Sequence, residues 1–212
     1  MRREGRARRR LGRLPAGREP GGLRAGGRGH ARPRSSLIAK YAAFLRGINV
    51  GGHKATKAQL IAAFEACKLE EVSTFRASGN VLFEAAGRGK PKVQDMEAAL
   101  EEELGYEVPV FVRSAAEIDK VVALEPFTAN QRKASQGKLQ VAFLPKKPSG
   151  PKEKDALALA TKEPLAIEGK ELFWLPKAGI LDSDVDLKAL EKTVGPWTMR
   201  TMSTVEQMAA KL

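Results

Sequence analysis

The chain has 212 residues, with 37 Lys and Arg against 25 Asp and Glu and a formal charge of +12. Residues 1–36 hold twelve arginines against Glu4 and Glu19, a net of +10, which leaves +2 for the other 176 residues. That near-neutral remainder offers no bulk electrostatic case for DNA or RNA binding. The lone Cys67 excludes an intramolecular disulfide, and no run approaches the roughly 18 apolar residues of a membrane-spanning helix. A reducing compartment, the cytoplasm, is the expected location.

In chain order, residues 1–36 are Arg, Gly, Pro and Ala with almost no large apolar side chains. They cannot bury enough surface to offset their ordering entropy, so this tail is expected to be disordered. It reads as a basic arm for nucleic acid, as a targeting segment that is neither Ser-rich nor amphipathic, or as an over-extended gene start with Leu37 the misread start codon. No apolar stretch follows Arg2-Arg3, as a twin-arginine signal requires.

Residues 41–45 form a continuous apolar run, the pattern of a strand buried on both faces. Thr56-Lys-Ala-Gln59 reads as a capping box. The helix it opens aligns Leu60, Ile61, Phe64 and Cys67 on one face. Residues 72–76 and 81–84 are strand-like, with Ser78-Gly79-Asn80 at the turn. A helix follows on Val93, Met96, Leu100 and Leu104 and stops at Gly105, and 107–113 is a strand. The order β-α-β-β-α-β is that of the ferredoxin-like split unit.

Beyond it, 115–124 reads as a bridging helix. Residues 138–144 read as a strand half-buried by alternation of Leu139, Val141 and Phe143, and 152–161 as a helix. Residues 165–167 and 171–175 form a hairpin turning at 168–170. Residues 187–194 are helical, 197–201 a short strand and 204–212 a closing helix. The expected fold is therefore α+β, with two tandem ferredoxin-like units at 37–113 and 114–212 behind the tail at 1–36.

The segments YAAFLRGINVGGHKAT and TFRASGNVLF carry a family likeness. With GYEVPVFVR, LQVAFL, AIEGKELFWLP and TMRTMSTVEQMA in the same order and spacing, the chain over about 40–212 resembles the bacterial family catalogued as domain of unknown function 1697. The likeness implies a fold and a place for the site, and no reaction. It singles out Arg46 and Asn49 as the polar residues of the shared motif. Phe75 and Arg76 depart from the family's usual Tyr and uncharged residue. Arg200 and Thr204 match its closing segment, whereas Thr201, Met202 and Ser203 replace Asn, Trp and Asn.

From the residues themselves, the loop 46–54 joins a strand through Gly47, Gly51 and Gly52 to a helix N-terminus, a geometry that holds anions. Its spacing matches neither Walker A nor the dinucleotide fingerprint, and the glycines serve equally as a tight turn. Arg46, Arg76 and Asn80 suit a phosphate or carboxylate by bidentate bonding, with Ser78 beside them, and the family likeness adds Arg200 reaching in. The alternative is an ordinary turn at Gly79-Asn80, with Ser203 or Thr204 capping the last helix. Asp182, Ser183, Asp184 and Asp186 lack the glycine and glutamate of a calcium loop. Acids there favour the helix start that follows. Cys67 reads as inert core, and Trp174 and Trp197 as packing. One His and one Cys outside the tail exclude common zinc fingers. The catalytic residues are unknown, no positioned general base is visible, and no metal or cofactor is expected. The expected partner is a small anion. Nucleic acid is expected only through the tail, and a protein-interaction module is the remaining alternative.

Overall fold

The first strand, β1 (Ile38–Leu45), passes from exposed to fully buried along its length, because only its C-terminal half is covered on both faces. This computed structural model describes residues 38–87, 89–135, 138–160, 162–180 and 183–212. All belong to one compact unit, Ser36–Leu212. The tail and Asp182 lie outside the described residues. After β1 come α1 (Lys57–Ala66), β2 (Glu70–Thr74), β3 (Asn80–Ala86), α2 (Val93–Leu104) and β4 (Val110–Ser114). Next are α3 (Ala115–Ala123), α4 (Ala129–Ala134), β5 (Gln140–Phe143), α5 (Gly150–Ala158), β6 (Leu165–Glu168) and β7 (Glu171–Trp174). The chain closes with α6 (Leu187–Val194), β8 (Thr198–Thr201) and α7 (Met202–Ala209).

The strands form two four-stranded antiparallel sheets, ordered β2-β3-β1-β4 and β6-β7-β5-β8. The strand order of the first recurs in the second. Strand alternation then sets the layers. Tyr41, Ala43 and Leu45 of β1 pack with Leu60 and Phe64 of α1 and Met96 and Leu100 of α2. Ala42 and Phe44 face the other way, into a cluster with Phe111, Val141, Phe143, Phe173, Ile118 of α3 and Val205 of α7. Phe44 and Phe143 stack there with centroids 3.8 Å apart, both fully buried. The outer face of the second sheet buries Leu144, Leu172 and Trp174 with Ala156 of α5 and Leu190 of α6. Both faces of both sheets therefore carry core residues.

Local sequence explains the elements. The expected box at Thr56 is formed: its hydroxyl accepts from Gln59 N–H, and the Gln59 side-chain Oε1 accepts from Thr56 N–H. Gly105, at φ 77°, ends α2 in the left-handed region. Four expectations need correction. β5 is buried throughout rather than half-buried, because helices and the first sheet cover it from opposite sides. Arg76 falls outside β2, with φ 58°. Helix α4, which was not expected, starts from a box between Thr128 and Gln131. α7 begins at Met202, so its N-cap is Thr201 rather than Ser203 or Thr204.

The outer edge of β4 is closed by its own neighbours. Val110 N–H donates to Glu97, Ser114 N–H donates to Glu117, and Val112 O accepts from Arg113. Side chains that occupy an edge in this way block strand addition.

Candidate functional site

The corner where β1 ends is held by backbone bonds to two neighbours. Leu45 N–H donates to Gly79 O at 2.7 Å, and Arg46 N–H donates to Pro109 O at 3.0 Å. Gly79 has φ 67°, and a Cβ on it would lie 3.0 Å from Leu45 Cβ and 3.1 Å from Ile48 Cβ. Conformation and contact both require glycine there. The loop 46–55 then turns through Asn49 at φ 59°, a conformation that Asn tolerates. Asn49 Nδ2 donates to Ala77 O at 2.9 Å, and its Oδ1 accepts from Ala55 N–H at 3.1 Å. One amide thus ties the two ends of the loop to the turn before β3.

Arg200 enters this corner from β8. Its Nε donates to Asn80 Oδ1 at 2.6 Å and its Nη1 to Thr198 Oγ1 and Met199 O at 2.8 and 2.7 Å. Its Nη2 donates to Leu45 O and Gly79 O at 2.9 and 3.1 Å. A guanidinium has five N–H groups, so all are engaged. Every acceptor is neutral, and the residue is 9% exposed. Burial pulls its pKa down to about 10, which leaves it a cation at neutral pH. Asn80, fully buried, donates in turn to Phe75 O and Ser78 Oγ. Thr198 Oγ1 donates to Leu45 O. Each buried polar atom that loses its last partner in such a network costs about 1–3 kcal/mol.

Arg46 is arranged differently. Its Nη1 and Nη2 donate to Glu191 Oε1 and Oε2 at 2.7 and 3.0 Å, with the side chains 35% and 33% exposed. Arg76 donates to Gln207 Oε1 at 2.8 Å from an exposed position, over the Phe75 ring. The corner therefore unites the 45–49 segment, Ser78, Asn80 and Arg200, while Arg46 and Arg76 take side-chain partners on α6 and α7. Gly47, Gly51 and Gly52 all have positive φ, and a Cβ on any of them would meet nothing within 4 Å. Val50 is 60% exposed at the loop tip. His53 stacks on Tyr106 with centroids 4.2 Å apart, and burial raises the Tyr106 pKa. The start of α1 is already served by its own capping box, so Thr56 and Gln59 N–H are taken.

The sequence reading did not single out Glu191, nor the buried pair of Arg113 and Glu171. Arg113 Nε donates to Glu171 at 2.6 Å, and its Nη2 donates to Leu144 O at 2.8 Å. It also passed over Glu163, which accepts from Trp174 Nε1, Ser183 Oγ and Lys177 N–H. Glu117 is another omission. Burial alone would raise it, but bonds from Lys90, Ser114 N–H and Lys170 prevail and hold its pKa at about 2. The only sequence signal for any of these was the Ser114-x-x-Glu117 spacing of a capping box. Cys67 is the C-cap of α1, its backbone N–H donating to Phe64 O, and its one S–H lies between Ala63 O and Asp95 O, each 3.4 Å away. Burial, then Asp95, raise its pKa.

A family of proteins of unknown function, DUF1697, matches residues 38–173, a span that takes in β1, the 46–55 loop and the turn at Gly79. The chain belongs to this family. The match ends within β7, so Arg200 of the DUF1697 chain lies beyond it. Among solved structures, the chain is similar to the conserved bacterial protein SP0830 from Streptococcus pneumoniae. The TM-score is 0.63 at 20% identity, covering 82% of this chain and 98% of that one. That likeness concerns the fold. A comparison with curated proteins finds no match. No helix among the described residues is long and apolar enough to cross a membrane.

Proposed function

We propose that this DUF1697 chain is a binding protein that takes a small oxyanion, a phosphate ester or carboxylate, at the exposed 46–54 loop. Arg46 supplies the bidentate contact, and Gly47, Gly51 and Gly52 let the ligand approach the backbone. Asn49, Ser78, Asn80 and Arg200 keep the loop in shape, and Arg76 lies at the rim. The observation that carries this reading is the Arg46 fork, a third exposed. Its one charged partner can be exchanged, whereas Arg200 has no N–H to spare. The reading assigns no reaction and no catalytic residue. Its scaffold is two ferredoxin-like units, 37–113 and 114–212, supported by the recurring element order and strand order. The free thiol of Cys67 accords with action in the cytoplasm.

The test is a thermal-shift screen of the full chain against phosphate, phosphate esters, nucleotides and di- and tricarboxylates. A ligand of the native state raises apparent stability by RT ln(1 + [L]/Kd). The expected result is a shift that Arg46→Ala abolishes while the variant stays folded. No shift across the panel, or one that survives Arg46→Ala, defeats the reading. The +10 tail favours a second reading, nucleic-acid binding. Binding of a single-stranded oligonucleotide that is lost on removing residues 1–36 would support it.

A further inference from the structure

We infer that Glu191 is a built-in stand-in for the ligand, a carboxylate that occupies Arg46 until an external oxyanion displaces it. This rests on the reading of the 46–54 loop as an oxyanion site and adds how that site is regulated and what shape of anion it accepts. The Arg46–Glu191 contact is fork to fork: Nη1 to Oε1 at 2.7 Å and Nη2 to Oε2 at 3.0 Å. Two parallel N–H···O bonds select an anion bearing two oxygens on one atom, as in a carboxylate or phosphate monoester. The partners are 145 positions apart in sequence, so the contact joins the loop after β1 to α6.

Release of Glu191 needs no unpacking. Its helix is anchored by Leu190 and Val194, both in the core of the second sheet. Its own carboxylate is a third exposed. Lys188, three positions earlier, lies on the same side of the helix at the spacing of side-chain neighbours and offers the freed carboxylate a second cation. Lys170–Glu117 is also partly exposed, at 31% and 27%, but a lysine ammonium offers no two-pronged contact. Two other charged side chains between the halves differ in burial. Arg113 and Glu171 are almost sealed, at 2% and 11% side-chain exposure, and Arg200 has no acid at all. Among these three, Arg46 is the one whose partner a solute can replace at the cost of a surface ion pair.

Such a pair holds the site shut only part of the time. A competitor of this strength lowers the apparent affinity about two- to fivefold. The experiment is isothermal titration of the full chain with inorganic phosphate and with succinate, for wild type, Glu191→Gln, Glu191→Ala, Arg46→Lys and Arg46→Ala. Both Glu191 variants are expected to bind about two- to fivefold more tightly than wild type, Arg46→Lys more weakly, and Arg46→Ala not at all. Arg46-dependent binding that Glu191→Gln and Glu191→Ala leave unchanged or weaken overturns the stand-in role and spares the oxyanion site. Absence of binding in every variant overturns both. Should one Glu191 variant misfold by circular dichroism, the other decides alone.

Discussion

Arg46 follows Leu45 in the chain and Arg200 donates to the Leu45 carbonyl, yet the two arginines lie in opposite surroundings. Arg200 is enclosed, with five N–H groups on five neutral oxygens from β1, β3, β8 and the turn before β3. Arg46 is a third exposed and holds a single carboxylate. The first joins the two sheets, and the second carries the proposed exchange. Residue type alone therefore does not make an arginine a ligand group. What decides is whether its donors can leave their present partners at the cost of a surface pair or of a buried network.

The largest expected effect comes from emptying the enclosed corner. Arg200→Ala leaves Asn80 Oδ1 without its donor and takes one of two donors from Leu45 O and Gly79 O, and should cost about 3 kcal/mol in urea unfolding. A loss below about 1 kcal/mol would erase the distinction between the two arginines. Gly79→Ala probes the same corner through the backbone. It forces a left-handed residue against Leu45 and Ile48 and should cost about 1–3 kcal/mol. A neutral result would show that the corner yields.

Arg46→Ala removes only a pair that is a third exposed. Its stability should change by at most about 1 kcal/mol, while oxyanion binding disappears.

The smallest effect concerns Glu117, which lies between these extremes, joining Lys90 to Lys170 at the β6–β7 turn. Its folded pKa of about 2 is below its ordinary 4.5. Between those values the unfolded chain binds the extra proton, so stability must rise with pH across that window. The contribution is complete above pH 4.5 and is lost as pH falls toward 2. Urea midpoints from pH 2 to 6 should fall less steeply in Glu117→Gln than in wild type. Equal slopes would remove Glu117 from the account.

Sequence periodicity and caps were enough to locate most elements. The Thr56–Gln59 box, the stripe of α2 with its Gly105 stop, the Gly169 turn and the span of α6 were all legible, because each rests on a few adjacent residues. The burial of β5 was not. Alternation reports one covered face and says nothing of a second layer packing on the other. The adjacency of the 46–55 loop and the turn at Gly79 followed from element order. The partners of the site residues did not, since Arg46 to Glu191 and Arg200 to Asn80 span 145 and 120 positions. No local pattern marks which acid or amide a distant guanidinium will meet. The family likeness, which matches residue types, therefore grouped Arg46 with Arg200.

Hydrogen exchange at the arginine Nε–H groups, followed by NMR with and without phosphate, tests the central distinction most directly. Arg200 Nε–H is bonded inside the core and should exchange only through large-scale unfolding, with phosphate leaving it unmoved. Arg46 has its bonds at Nη1 and Nη2, so its Nε–H should exchange fast and shift as phosphate is added. Equal protection of the two, or a phosphate response at Arg200 and none at Arg46, would contradict the account.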